Sequence, residues 1–299
     1  MNNIVKASLI SVVVLIAFAG AGRSIWRYSI GSKAMTQNKL ITHDMPEHGL
    51  ALIGQSAPSF EADFKSLVRV SDDLQEAVKQ FTVIVTNNGR RNISAVTVKW
   101  EFELPNGQKI PRTVSHSRMD HLFVSPSFFL LAPGGKYPVS LFPLSGANKE
   151  IKSTPEIIKQ AQLLTDLLAR SVRCNVTIDG VLFTDGTYVG VDSSDSFDRL
   201  QAEVNATRDL LKEARQIAEA GQSAAEVFKH IDKFAKLTRE QLKADLKKPS
   251  DILSPIYCYN KSKANYAKGL MAMKEKKGGS QTMEFIRESN RPYTQLVKR

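Results

Sequence analysis

Between Ala95 and Leu104 the chain alternates strictly. Val96, Val98, Trp100, Phe102 and Leu104 fall on one side; Thr97, Lys99, Glu101 and Glu103 fall on the other. A period of two with one apolar and one polar side predicts a strand that lays one face on a core and shows the other to water, as in an antiparallel sheet. A strand of this kind needs neighbours on its edges and a layer against its apolar face. The flanking sequence supplies both. Asn106-Gly107 follows at once, a hairpin signal leading into Lys109–Val114. Upstream, Phe81–Thr86 is β-branched and runs into the turn-forming Asn87-Asn88-Gly89.

Further strands are expected at a run near Phe128–Leu131 and at Tyr137–Leu141 after Pro133-Gly134-Gly135. Val172, Cys174, Val176 and Ile178 alternate again, and Val181–Phe183, Asp185-Gly186 and Thr187–Val191 read as a second hairpin. About seven or eight short strands separated by Gly, Pro and Asn turns, with no strand–helix alternation, point to an antiparallel sandwich. A closed barrel would need more even spacing.

Thr82-Val-Ile-Val-Thr-Asn-Asn-Gly, Ile93-Ser-Ala-Val-Thr-Val-Lys-Trp-Glu-Phe, Asn106-Gly107 and Leu131-Ala-Pro-Gly together resemble the immunoglobulin-like domains of bacterial exported proteins, over roughly residues 65–190. The resemblance implies a binding or structural module, with Trp100 as its core aromatic, and carries no catalytic motif. The sandwich is placed at 61–192, after an extended lead-in at 23–60. A helix at 155–169 departs from the family's pattern. Thr154 can cap it, Pro155 suits its first position, Glu156 complements the dipole, and Ile157, Ala161, Leu164 and Leu168 form one stripe.

From Ser196 the period becomes helical. Phe197, Leu200, Val204, Leu211, Ala214 and Ala218 share a face; Gly221 interrupts; Val227, Phe228, Ile231, Phe234, Leu237, Leu242 and Leu246 continue in a shifted register. The expected fold class is therefore α+β: an immunoglobulin-like antiparallel β-sandwich followed by an α-helical segment at 195–248. Its helices hinge near Gly221 or form one kinked rod. The stripe docks within the monomer or, as a short coiled coil, in a homodimer.

The formal charge of +11 is unevenly placed. Residues 1–228 carry 24 basic and 23 acidic side chains, whereas 229–299 carry 17 and 7. Residues 249–299 read as a basic, flexible tail. Its Lys261, Lys263, Lys268, Lys274, Lys276 and Lys277 are candidate polyanion contacts, for an anionic membrane or wall polymer. Tyr257, Tyr259 and Tyr266 interleave with the lysines, as nucleic-acid binders do, but export argues against nucleic acid as the native partner.

Export is expected from the N-terminus. Lys6 precedes an uncharged run, Ala7–Gly22, that would be about 24 Å long as a helix, short of a bilayer core of about 30 Å. Ala17-Phe18-Ala19 suits signal-peptidase cleavage. Residues 1–22 are thus expected to be a signal peptide of a periplasmic or secreted protein. The alternative is an inner-membrane anchor formed by residues 7–22, with Arg23 and Arg27 beside it.

No catalytic, cofactor-binding or metal-ligating set emerges. Pro46 separates His43 from His48 and blocks a zinc-helix reading; His116 and His121 flank Asp120 without ligand spacing; no G-x-S-x-G is present. Asp179, Asp185, Asp192, Asp195 and Asp198 lack calcium-loop spacing and read as turn and cap residues, with Asp195 or Ser196 as the helix cap. Export permits a Cys174–Cys258 disulfide, which would close a loop of about 84 residues and add roughly 4–5 kcal/mol; the alternative is a buried free thiol at Cys174. The function expected is a non-enzymatic exported binding or envelope-structural protein, its partner an unidentified protein or envelope component. The alternative is a polyanion-associating protein working through its basic end.

Overall fold

A computed structural model describes residues 39–118, 129–144, 150–244, 246, 254–289 and 296–299. The expected signal at 1–22 and part of the 23–60 lead-in lie outside these residues, as do His121, Asp120 and Phe128. The elements, in chain order, are β1 (Leu40–His43), β2 (Leu50–Ile53), α1 (Phe60–Leu67), α2 (Gln75–Gln80), β3 (Thr82–Asn87), β4 (Ile93–Glu103), β5 (Lys109–Ser117) and β6 (Lys136–Ser140). Then follow α3 (Pro155–Arg170), β7 (Arg173–Phe183), β8 (Thr187–Val189), α4 (Ser196–Glu219), α5 (Ala224–Ala235), α6 (Arg239–Lys243), α7 (Pro255–Lys277), α8 (Gly279–Glu288) and β9 (Val297–Lys298).

The fold is mixed α+β with two sheets. The larger runs β5-β4-β7-β8-β9, with β1 also paired to β7; the smaller runs β2-β3-β6. β1–β7 and β8–β9 are parallel pairs, while β4–β5, β4–β7, β7–β8, β2–β3 and β3–β6 are antiparallel. The β4–β5 hairpin closes at Asn106-Gly107, where Gly107 holds φ +80, and the β7–β8 hairpin closes at Asp185-Gly186, where Gly186 holds φ +85. Glycine takes this left-handed region without a steric cost.

The apolar side of β4 faces the core between the sheets. Val96, Val98, Trp100 and Phe102 pack there with Cys174 and Val176 of β7 and with Val83, Val85 and Val139 of the smaller sheet. Helices α1, α2 and α3 close this core with Phe60, Phe64, Val78, Leu164 and Leu168. The α3 cap is Thr154, whose hydroxyl accepts from the Ile157 amide.

Three features differ from what the sequence leads one to expect. The polar side of β4 is wet only in part: Ala95 and Thr97 are buried, and a second core covers that face. Ala95, Leu182 and Tyr188 of the larger sheet meet Leu200, Val204 and Leu211 of α4, Phe228 of α5, Ala267 and Leu270 of α7, and Ile286 of α8. Next, the segments Cys174–Ile178 and Val181–Phe183 form one strand, β7. The register against β4 slips at Asp179, where Thr97 pairs with Gly180 and Val98 with Ile178. Such a bulge re-aims the extra residue without ending the strand. Last, 249–299 is not a flexible tail throughout. Within it α7 packs on α4 and α5, α8 packs on α7, and Leu296–Arg299 return to the sheet edge. Ala264, Ala267 and Leu270 supply the buried face of α7, which its many lysines hide from a reading by charge.

The helical segment breaks near Gly221 into separate helices and is not one kinked rod. Helix α4 ends at Glu219, Gly221 holds φ +76, and α5 starts under a Ser223 cap that accepts from the Glu226 amide.

Candidate functional site

Asp179 and Asp192 organise the entrance to the helical layer. The bulged Asp179 carboxylate accepts from the amide and hydroxyl of Ser193 at 3.0 and 2.7 Å, and of Ser194 at 3.1 and 2.6 Å. Asp192 accepts from the amides of Ser196 and Phe197 at 2.6 and 3.1 Å, and so caps α4 from outside the helix. The same carboxylate takes the Tyr188 hydroxyl at 2.9 Å and the Lys298 ammonium at 2.7 Å. Asp195, which the sequence offers as the cap, makes no side-chain capping bond. Two left-handed non-glycine residues, Asp192 (φ 55) and Asp195 (φ 54), bound this turn. The network fixes where α4 begins, and so where its first two turns stand over the sheet.

Between those turns, the N-terminal half of α7 and the outer faces of β4 and β5 lies an open cleft of about 990 Å³. Alternation on β4 brings Lys99 and Glu101 to it, and alternation on β5 brings Lys109, Thr113, Ser115 and Ser117. Helix α4 contributes Arg199 and Glu203, one turn apart, and α7 contributes Cys258, Lys261, Ser262 and Asn265. Arg112 also lines it.

The charges fall into two groups. Glu101 lies between Lys99 at 3.1 Å and Lys109 at 2.8 Å. The Lys109 bond, and after it the Lys99 bond, holds its carboxyl below the usual range despite partial burial. Glu203 is the opposite case: burial pushes its carboxyl up, and the Ser117 hydroxyl at 3.2 Å with the Lys261 and Arg199 charges offsets that only in part. Among the described residues no carboxylate lies within ion-pairing distance of Arg112, Arg199 or Lys261. Burial, and the nearby Glu203, also push the Cys258 thiol up. That thiol stays protonated near neutrality and is a poor nucleophile. Among the described residues no histidine lines the cleft. The described lining offers cationic and hydroxyl donors.

The residues singled out from sequence are dispersed. Trp100 is fully buried between the sheets. The disulfide expectation is corrected: both cysteines are free, Cys174 in the inter-sheet core and Cys258 in the cleft over the opposite face of the sheet. Of the six lysines, Lys261 lines the cleft and Lys268, Lys276 and Lys277 are exposed along α7. Lys274 lies over the Phe228 ring at 4.6 Å. Lys263 is corrected as a surface contact: it is buried, ion-paired to Glu213 at 2.7 Å and set 4.3 Å over the Phe234 ring. His230 joins the same Glu213 at 3.0 Å, His43 meets Asn175 at 3.1 Å, and His116 meets Tyr137 at 3.4 Å. Among the described residues no group of His, Cys, Asp and Glu could hold a metal ion.

Sequence reading passes over Arg199 and Glu203. Their only local signal is an i, i+4 spacing on the polar side of the Phe197–Ala218 stripe, which any solvated helix shows. No family model, curated protein or solved structure matches this chain.

Proposed function

We propose that the chain is an exported, non-enzymatic binding protein whose ligand sits in the cleft between the larger sheet and helices α4 and α7. In this reading residues 61–192 are an immunoglobulin-like sandwich, elaborated by α3 and by the parallel β1 and β9 pairings, and the helical layer supplies one wall of the site. The observation that carries it is the lining of the cleft: cations and hydroxyls from four elements, with no activated nucleophile among the described residues. Sites that bind without reacting have this character, with convergent polar groups on rigid elements.

Export rests on the Ala7–Gly22 run, and among the described residues no helix is long and apolar enough to cross a membrane. Fractionation of expressing cells, with N-terminal sequencing of the recovered protein, tests this part; a cytoplasmic protein beginning at Met1 contradicts it. Native mass spectrometry of protein recovered from the envelope tests the cleft. A retained ligand mass is expected for the native chain and its loss for Thr113→Trp, which fills the cleft from β5. A mass retained by both places the ligand elsewhere.

A second reading, association with an anionic surface, draws on Lys261, Lys268, Lys276 and Lys277, all exposed on one helix. Each basic residue near an anionic membrane adds on the order of 1 kcal/mol, screened by salt. Sedimentation with phosphatidylglycerol vesicles that persists unchanged from low to high salt would count against it.

A further inference from the structure

The cleft's three cations without a carboxylate partner, Arg112, Arg199 and Lys261, reach it from three different elements, β5, α4 and α7. Thr113, Ser262 and Asn265 add hydroxyl and amide donors to the same lining. Among the described residues the five cations of the lining outnumber its two carboxylates, Glu101 and Glu203. Glu101 is already engaged by Lys99 and Lys109. Guanidinium and ammonium groups converging with hydroxyl donors are the chemistry that holds phosphate oxygens.

Glu203 stands among these donors. Arg199 lies one turn before it on α4, Cys258 and Lys261 face it from α7, and Ser117 donates to it from β5; Lys99 and Glu101 of β4 and Lys109 and Arg112 of β5 complete the charged groups of the cleft. We infer that this cleft is a phosphate site, in which Lys261 and Arg199 hold the oxyanion and the charge of the nearby Glu203 carboxylate opposes its entry. The inference rests on the cleft being the binding site, and adds the ligand's chemistry and its control. A carboxylate repels an incoming anion, whereas the protonated acid does not and can itself donate a hydrogen bond. Burial raises Glu203 above the usual carboxylate range, so the change falls at a higher pH than it would for an exposed carboxylate.

Isothermal titration of the full chain with sulfate and with inorganic phosphate tests this. Sulfate is the informative probe because it does not itself titrate between pH 5 and 8. Sulfate binding is expected to strengthen several-fold on acidification from pH 8 to 5, and to weaken about tenfold in Lys261→Ala. Glu203→Gln, a conservative change on an otherwise intact helix, is expected to bind sulfate more tightly than the native chain at pH 8 and to lose the native chain's strengthening on acidification. Glycerol 1-phosphate and phosphatidylglycerol vesicles separate the sources of the phosphate: vesicle capture lost in Lys261→Ala supports a lipid headgroup, and binding of the soluble ester alone supports a free phosphate compound. Absence of sulfate and phosphate binding at pH 5 overturns the inference, as does a pH dependence unchanged in Glu203→Gln. If an envelope-derived mass is still lost in Thr113→Trp, the cleft remains a binding site for a ligand of different chemistry.

Discussion

Asp192 ties three parts of the chain together through one carboxylate: the β8 tyrosine, the first amides of α4 and Lys298 of β9. Burial alone would push its pKa up, but the Lys298 ammonium, the Tyr188 hydroxyl and the α4 donors pull it down, to about 2. An acid lower in the folded chain than its unfolded value of about 3.9 stabilises the fold above that value, and the contribution is lost as pH falls through the folded pKa. Replacing Asp192 with Asn is therefore expected to cost about 2 kcal/mol at neutral pH, a gap that closes between about pH 4 and 2. Urea unfolding of both proteins across that range checks it; a gap independent of pH would assign the cost to packing. The two thiols give a second contrast. Burial, with a smaller contribution from Glu101, pushes Cys174 up to about 12, while Cys258 is half-buried in an open cleft. Iodoacetamide on the native protein is expected to label Cys258 well before Cys174, with both reacting in denaturant. Equal native rates would mean that the inter-sheet core opens readily, and an unlabelled pair in denaturant would restore the disulfide.

The elements differ in how much of themselves they display in sequence. β4 is legible because its inner side is uniformly large and apolar. Its outer side, Ala95, Thr97, Lys99 and Glu101, reads as one solvated face although its residues do different jobs: Ala95 packs in the second core, Thr97 is buried with its hydroxyl on Ser115, and Lys99 and Glu101 line the cleft. Short-range pattern cannot separate small and polar residues beneath a partner from those facing water. The cleft itself was illegible for the same reason, since Arg199, Glu203 and Ser117 are ordinary surface residues until three distant elements converge. β7 shows the limit from the other direction. Asp179-Gly180 looks like a turn, yet the strand passes through it, because Asp179 is diverted to Ser193 and Ser194 while Gly180 lies against the Tyr188 ring. A Cβ at position 180 would sit 1.7 Å from the Tyr188 hydroxyl oxygen. Tyr188 is fully buried and held by Asp192 and Ser196, so it cannot step aside. Gly180→Ala is expected to cost about 3 kcal/mol, at the upper end of overpacking penalties, seen as a fall in thermal midpoint. A loss below about 1 kcal/mol would show that the bulge and ring can shift together.

At the scale of the molecule, the larger sheet is shared by two cores, and the chain's two described ends both return to it. β1 pairs with β7 near Cys174, and β9 pairs with β8 through the Val297 amide to Gly186 and the Arg299 amide to Tyr188. The last described residues thus seal the sheet edge over the network that starts α4. Leu296 adds a buried side chain to the second core, and Lys298 neutralises Asp192. Removing Leu296–Arg299 exposes an apolar side chain's worth of core, two ladder bonds and a buried carboxylate, so a loss of about 3 kcal/mol is expected. Lys298→Ala removes the ion pair alone and is expected to cost less than half as much. The damage also has a direction. Hydrogen exchange is expected to rise at the Ser196 and Phe197 amides and along β8, and to stay unchanged in β3 and β6, which pack in the other core. A truncated chain that unfolds uniformly faster at every amide would mean that the two cores form one cooperative unit. One with native exchange throughout would mean that β9 rests on the sheet without holding it.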